Sequence, residues 1–254
     1  MTAYNALMLA GFGLGTALFV HACWRVHLPL ARVTLFALAT ALSGLVAGRA
    51  YVLVEQRQFT WAALADGSFR LPGVIVGLLF GLWLWRGLLL PGVGLAQLAD
   101  LGAPAASFGQ AFARLACLVT GCCFGTISHV PWAIRFPLGS LAANVQSSLD
   151  LLPPGATSSE PVHPLQIYFL LMHLAVGWFL LRLQRVKAYD GQVVLVGLLL
   201  SQAGKAWLES FRQPIPGVPM GHLQLASLAL ACLSAAVLVV VRIRRTPRAQ
   251  LATT

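Results

Sequence analysis

The chain has 254 residues, 58% of them hydrophobic and 9% charged, with a mean hydropathy of +0.80. A soluble domain of this length cannot bury that much apolar surface, so the composition excludes the soluble globular class and indicates an integral membrane protein. The formal net charge of +10 would point a soluble chain toward nucleic acid, but here the basic residues fall between apolar runs, which argues against a nucleic-acid partner.

At about 20 apolar residues per crossing, the sequence predicts an all-α, polytopic membrane protein with about seven transmembrane helices. The spans fall near residues 4–22, 33–54, 72–90, 105–124, 164–183, 191–209 and 222–241. The first lacks a basic leader and a small-residue cleavage site followed by a polar mature domain, so it reads as a retained helix. With the amino terminus outside and the carboxyl terminus cytoplasmic, Arg25, Arg32, Arg86, Arg182, Arg185, Lys187 and the tail Arg242, Arg244, Arg245 and Arg248 all fall on the cytoplasmic side. The outer loops are then 55–71, 127–163 and 210–221. The middle one, with the irregular stretch PPGATSSEP at 153–161, is expected to form a small extracytoplasmic cap. There is no internal repeat of matching hydropathy and no pair of interrupted helices in two halves, which weakens a secondary-transporter reading and leaves residues 1–254 as a single membrane domain.

An ionisable group at the centre of a span costs about 2.5 to 3.5 kcal/mol on insertion scales, so each one needs a partner or a function. Arg49 lies near the outer end of span two, Asp100 just before span four, Arg114 within span four, and Lys205 with Glu209 near the outer end of span six, followed by Arg212. Arg49 alone reads as a snorkelling residue. Lys205 and Glu209, four apart, share a helix face and can pair, as can Glu209 and Arg212, three apart, so a neutralised interfacial cluster is an alternative to a working site. Arg114 sits near the middle of its span and cannot be neutralised by deprotonation. Its planar fork matches phosphate oxygens, and the abundant phosphate of a membrane is a phospholipid headgroup.

Three cysteines crowd the end of the same span in ARLACLVTGCCFG, residues 113–125. Cys117 and Cys122 are five apart and are expected on different helix faces, and Cys122 and Cys123 are adjacent, so a disulfide is not expected. Their spacing matches no usual zinc pattern, and no metal or cofactor is assigned. A thiolate favoured by the cation of Arg114 and a small apolar residue that permits close helix packing both remain open for Cys122; packing is the reading for Cys23 and Cys232.

DLGAPAASFGQAFARLACLVTGCCFG, residues 100–125, resembles the signature segment of the bacterial phosphatidylglycerol:prolipoprotein diacylglyceryl transferases, with Asp100, Ala103, Pro104, Gly109, Gln110, Arg114, Gly121 and Gly125 at matching positions. HPLQIY at 163–168 is similar to the family's His-Pro-Ser/Thr-Gln-Leu-Tyr motif through His163, Pro164, Gln166 and Tyr168. GKAWLESFRQP at 204–214 is similar to another family segment through Lys205, Glu209, Arg212 and Pro214, with lysine replacing arginine. Gln224 and Ser227 fit the opening of the last span, and GRAY at 48–51 supplies Arg49 and Tyr51.

The resemblance implies transfer of the diacylglyceryl group of phosphatidylglycerol, or a related phospholipid, to the lipobox cysteine thiol of a prolipoprotein at the outer face of the bacterial inner membrane. It also implies seven spans and the signal peptide of the prolipoprotein as partner. The catalytic candidates are Arg114 and Arg212 on phosphate, with His163 as proton acceptor by its position and Tyr168 and Cys122 behind it, because the histidine of the family's His-Gly-Gly motif is not present. Arg49, Tyr51, Asp100, Gln110, Cys117, Gly125, Gln166, Lys205 and Glu209 are implied around the substrate, Glu209 orienting Lys205 and Arg212. The chain departs from the family pattern where Leu71 and Pro72 stand in place of His-Gly before Gly73, and where Cys117 and Cys122 replace an asparagine and a glutamate. These departures keep two alternatives in view: a paralogue that uses the same donor with another acceptor, through a covalent Cys122 intermediate, and a lipid-binding or lipid-moving protein without catalysis.

Overall fold

A computed structural model describes residues 3–57, 71–214 and 220–251. In chain order its helices are α1 (Ala3–Arg25), α2 (Leu30–Gln56), α3 (Leu71–Leu89), α4 (Leu95–Thr120), the short α5 (Leu141–Ser148), α6 (Leu165–Val186), α7 (Gln192–Leu208), the single 3-10 turn η1 (Glu209–Phe211) and α8 (Met220–Leu251). The described residues are all-helical, with only isolated β-bridges outside the helices. Each of the seven apolar segments is a helix.

Five of them, α1, α2, α3, α6 and α8, carry an apolar stretch long enough to cross a membrane, which makes this a multi-pass membrane protein. The other two fall short of the expected seven for different reasons. α7 has 17 residues, a length of about 26 Å against a hydrocarbon core of about 30 Å. α4 is long enough but carries Gln97, Asp100, Gln110 and Arg114. It also begins ten residues earlier than expected and ends at Thr120, so Arg114 lies in its last two turns, about 9 Å from its end, instead of mid-span. The loop at 58–70 and residues 215–219 of the last outer loop lie outside the described residues.

The chain forms two compact units, Thr16–Leu101 and Met1–Gly15 with Gly102–Thr254. In the first, α2 and α3 pack through small residues at fourfold spacing. A Cβ on Gly73 would come within 2.6 Å of the Ala47 carbonyl oxygen and the Tyr51 Cβ, and one on Gly77 would strike the Ser43 carbonyl. The backbones can approach this closely only because nothing projects between them. Trp85 Nε1 donates to Ser43 Oγ (2.9 Å) and Ser43 Oγ to the Ala39 carbonyl (2.9 Å), so the indole's polar edge is satisfied inside an apolar pair. Cys23, Val33, Phe36, Leu90 and Leu98 form the buried core of this unit.

In the second unit, Val176 and Leu180 of α6, Val193 of α7 and Ala103 of α4 share one apolar cluster. Gly177 receives the Phe108 ring, Gly197 the Leu180 side chain. Gln224 Nε2 ties α8 to the Ala206 carbonyl of α7 (3.0 Å). Residues 121–164 fold over their own small core of Phe124, Phe136, Ala142, Val145 and Val162. Ser140 caps α5 by accepting from Ala143 N (3.2 Å), and the backbone of Ile134 exchanges hydrogen bonds with Val162. The buried Gln146 accepts from Glu160 N (2.7 Å), pinning the PPGATSSEP stretch to α5.

Candidate functional site

The end of α4 builds the first part of the site. Gly121 adopts a left-handed φ of +66°, the Cys122 N–H bonds back to the Cys117 carbonyl (3.1 Å), and the Gly121 N–H to that of Leu118 (3.3 Å). This is the Schellman ending of a helix, in which the side chains three residues before and two after the cap come together. Both are cysteines. Cys123 follows with φ +57°, and the three sulfurs all lie within 4.8 Å of one another. The expectation that Cys117 and Cys122 point apart assumed a helix running through residue 124; the helix stops before it, and the turn brings them together. Thr120 Oγ1 donates to Cys122 Sγ (3.3 Å).

Gly125 is the junction that gathers the rest. Its N–H bonds to the His163 carbonyl (3.1 Å), the Thr126 N–H to the Phe211 carbonyl (2.8 Å), the His163 N–H to the Thr126 carbonyl (3.0 Å), and the Gln213 N–H to that of Phe124 (3.3 Å). The end of α4, the start of α6 and the η1 turn therefore meet at one place. A Cβ on Gly125 would lie 2.6 Å from His163 Cβ and 2.8 Å from its carbonyl oxygen, so glycine is required by the crossing. Gln166, buried in the first turn of α6, donates to the Cys122 carbonyl (2.7 Å) and locks the cysteine turn to that helix. Beside it, His163 Nδ1 lies 3.2 Å from the Tyr168 hydroxyl, which accepts from Trp132 Nε1 (2.7 Å), and the imidazole packs edge-on against Phe211.

Three cations complete the site. Arg212 forks onto Glu209, with Nη1 2.8 and 3.2 Å from the two carboxylate oxygens, and its Nη2 donates to Cys123 Sγ (3.2 Å). The Glu209 side chain is only 4% exposed, so this ion pair is largely removed from water. The Arg114 guanidinium lies over the Phe169 ring, 4.5 Å from its centroid, and among the described residues no carboxylate pairs with it. Lys205 likewise has no carboxylate partner among them, so Glu209 holds Arg212 and not, as expected, both. His173 of α6, a residue the motifs did not single out, packs on the same Phe169 ring that Arg114 covers. It is 3% exposed, stacked on Phe169, and its Nδ1 has no hydrogen-bond partner among the described residues. A histidine inside an apolar helix was the available signal.

A guanidinium unclaimed by carboxylates, a hydrogen-bonded histidine and tyrosine, and an arginine fixed by a buried glutamate are thus carried by the three chain segments that cross at Gly125. A family model described as prolipoprotein diacylglyceryl transferase matches residues 1–243. The chain belongs to this family. Among curated relatives, it is 27% identical over 180 residues to phosphatidylglycerol–prolipoprotein diacylglyceryl transferase 2 of Clostridium perfringens, covering 68% of this chain and 64% of that one. It is 26% identical over 131 residues to the transferase of Clostridium tetani, covering 52% and 45%. With the Clostridioides difficile transferase it shares 23% over 222 residues, 82% and 77%. The matched region spans about half to two thirds of the length of the first of these relatives.

The diacylglyceryl transferase signature residues are shared between the two units. Arg49, Tyr51 and Asp100 belong to the Thr16–Leu101 unit, where Tyr51 is 44% exposed beside Gly73 and Asp100 is buried. Arg49 and Asp100 both make polar interactions within the protein. Gln110 is exposed on α4.

Proposed function

We propose that the chain transfers the diacylglyceryl group of phosphatidylglycerol, or a related phospholipid, to the lipobox cysteine of a prolipoprotein at the outer face of the bacterial inner membrane. The observation that carries this reading is that Arg114 and Lys205 lack carboxylate partners among the described residues, while Arg212, seven residues after Lys205, is held by Glu209. Cations kept unpaired inside an apolar helical unit are costly unless an anion arrives to meet them. A phosphate offers Arg114 two parallel charge-assisted hydrogen bonds, and the acyl chains lie along apolar helix faces.

The chemistry follows from that binding. The acceptor sulfur attacks the terminal glyceryl carbon next to the phosphate ester, the carbon–oxygen bond breaks, and its electron pair leaves on the phosphate oxygen. Arg114, assisted by Lys205 and Arg212, stabilises the charge that grows there. His163 takes the thiol proton, and its hydrogen bond to Tyr168 fixes the ring for that role. The products are a thioether and glycerol phosphate.

Membranes carrying the chain, supplied with labelled phosphatidylglycerol and a lipobox peptide, test the reading. Label on the peptide with the wild-type chain, and none with Arg114→Ala, is expected. Label retained on Cys122 with none on the peptide would favour the covalent paralogue, and no transfer of any kind would remove the enzymatic reading.

A further inference from the structure

The three sulfurs at the end of α4 exceed what the transfer reaction uses. Cys117, Cys122 and Cys123 come within 4.8 Å of one another, although the chain has only five cysteines and the other two, Cys23 and Cys232, lie elsewhere. Packing alone does not explain the cluster. Cys23 is a packing cysteine, fully buried among aromatic and aliphatic neighbours, whereas all three clustered residues keep partial exposure. Cys123 Sγ also already accepts a hydrogen bond from Arg212 Nη2 (3.2 Å), and outer donors of this kind orient metal-bound sulfur.

We propose that Cys117, Cys122 and Cys123 form a three-sulfur site for a soft monovalent cation of the Cu(I) class. Three arguments select that class. Metal–sulfur bonds of about 2.3 Å in a trigonal plane need sulfur–sulfur separations of roughly 4 Å, which the 4.8 Å envelope accommodates with little movement. Among the described residues no fourth ligating group joins the cluster, and Zn(II) takes four. Soft thiolates are the ligands Cu(I) prefers, and loading releases the thiol protons to water.

The geometry is built in and does not wait for the ion. The helix ending sets Cys117 against Cys122, the left-handed Cys123 turns back toward them, and Gln166 fixes the turn from α6. The site shares Arg212 with the proposed lipid transfer, so its test reads metal and not label. The full chain, purified in detergent and reduced, is titrated with Cu(I) kept reduced by ascorbate in competition with a chromophoric Cu(I) chelator. One Cu(I) per chain is expected to be withdrawn from the chelator by the wild type and by the Cys23→Ser/Cys232→Ser variant. Cys117→Ser, Cys122→Ser and Cys123→Ser each lose it, and Arg212→Gln weakens it roughly tenfold. X-ray absorption on the loaded wild type, which needs no variant to fold, is expected to show three sulfur neighbours. Failure to compete, dependence on Cys23 or Cys232, a nitrogen- or oxygen-dominated shell, or Zn(II) held as tightly as Cu(I) would each overturn the proposal.

Discussion

Arg114 rests on the face of Phe169 while Arg212 is clasped by Glu209, and the two arginines therefore answer differently to substitution. Arg114→Lys keeps the charge but loses the planar fork and the stacking, so transfer to a lipobox peptide is expected to fall roughly 100-fold with helix content by circular dichroism unchanged. Glu209→Ala instead leaves a guanidinium without its buried counter-charge. A destabilisation of about 3 kcal/mol, read as a lower midpoint in thermal unfolding, is expected for it. Tyr168→Phe retains the ring but removes the hydroxyl that contacts both Trp132 and His163. It is expected to reduce transfer while leaving phospholipid binding intact, a split that separates proton transfer from headgroup capture. At this scale the sequence made Arg114 legible as a residue in need of a partner, because a charge in an apolar run is visible without coordinates. His173 was missed because a lone histidine among aliphatic residues carries no motif, and the Phe169 ring it shares with Arg114 is visible only in three dimensions.

The helices were legible as elements because lipid demands long apolar runs, and each of the seven predicted segments is a helix. Their ends were not. The fourth was read through residue 124, but Gly121 supplies a left-handed residue that ends it at Thr120, and that small difference decides where three cysteines point. The shortness of α7 and the polar content of α4 are likewise why five helices, and not seven, have the length and apolarity of a crossing. Small residues also mean different things on different elements. Gly73, which stands where the family pattern continues, is used to bring α3 onto α2. Gly77→Leu would force α2 and α3 apart and is expected to lower expression and thermal stability of the chain. Gly125→Ala, by contrast, strikes the His163 backbone and is expected to cost about 1 to 3 kcal/mol and to abolish transfer.

At the scale of the whole chain, the Gly125 junction ties the end of α4, the start of α6 and the η1 turn together at the folded segment 121–164. The proposed orientation puts that side outside and the arginine-rich end of α8 in the cytoplasm. Alkaline phosphatase fused at residues 153–156 is then expected to be active, and the same enzyme fused after residue 251 to be silent. The opposite pattern would invert the proposed membrane orientation.

One property of the junction reaches back to synthesis. The hydrogen bonds from Thr126 to Phe211 and from Gln213 to Phe124 join parts of the chain made far apart in time. A nascent polypeptide emerging from the ribosome therefore carries Arg114 into the bilayer long before Arg212 and Glu209 exist to stand beside it. The proposed site therefore stays incomplete through most of synthesis and is closed late, when α7 has been made and the η1 turn docks against Thr126.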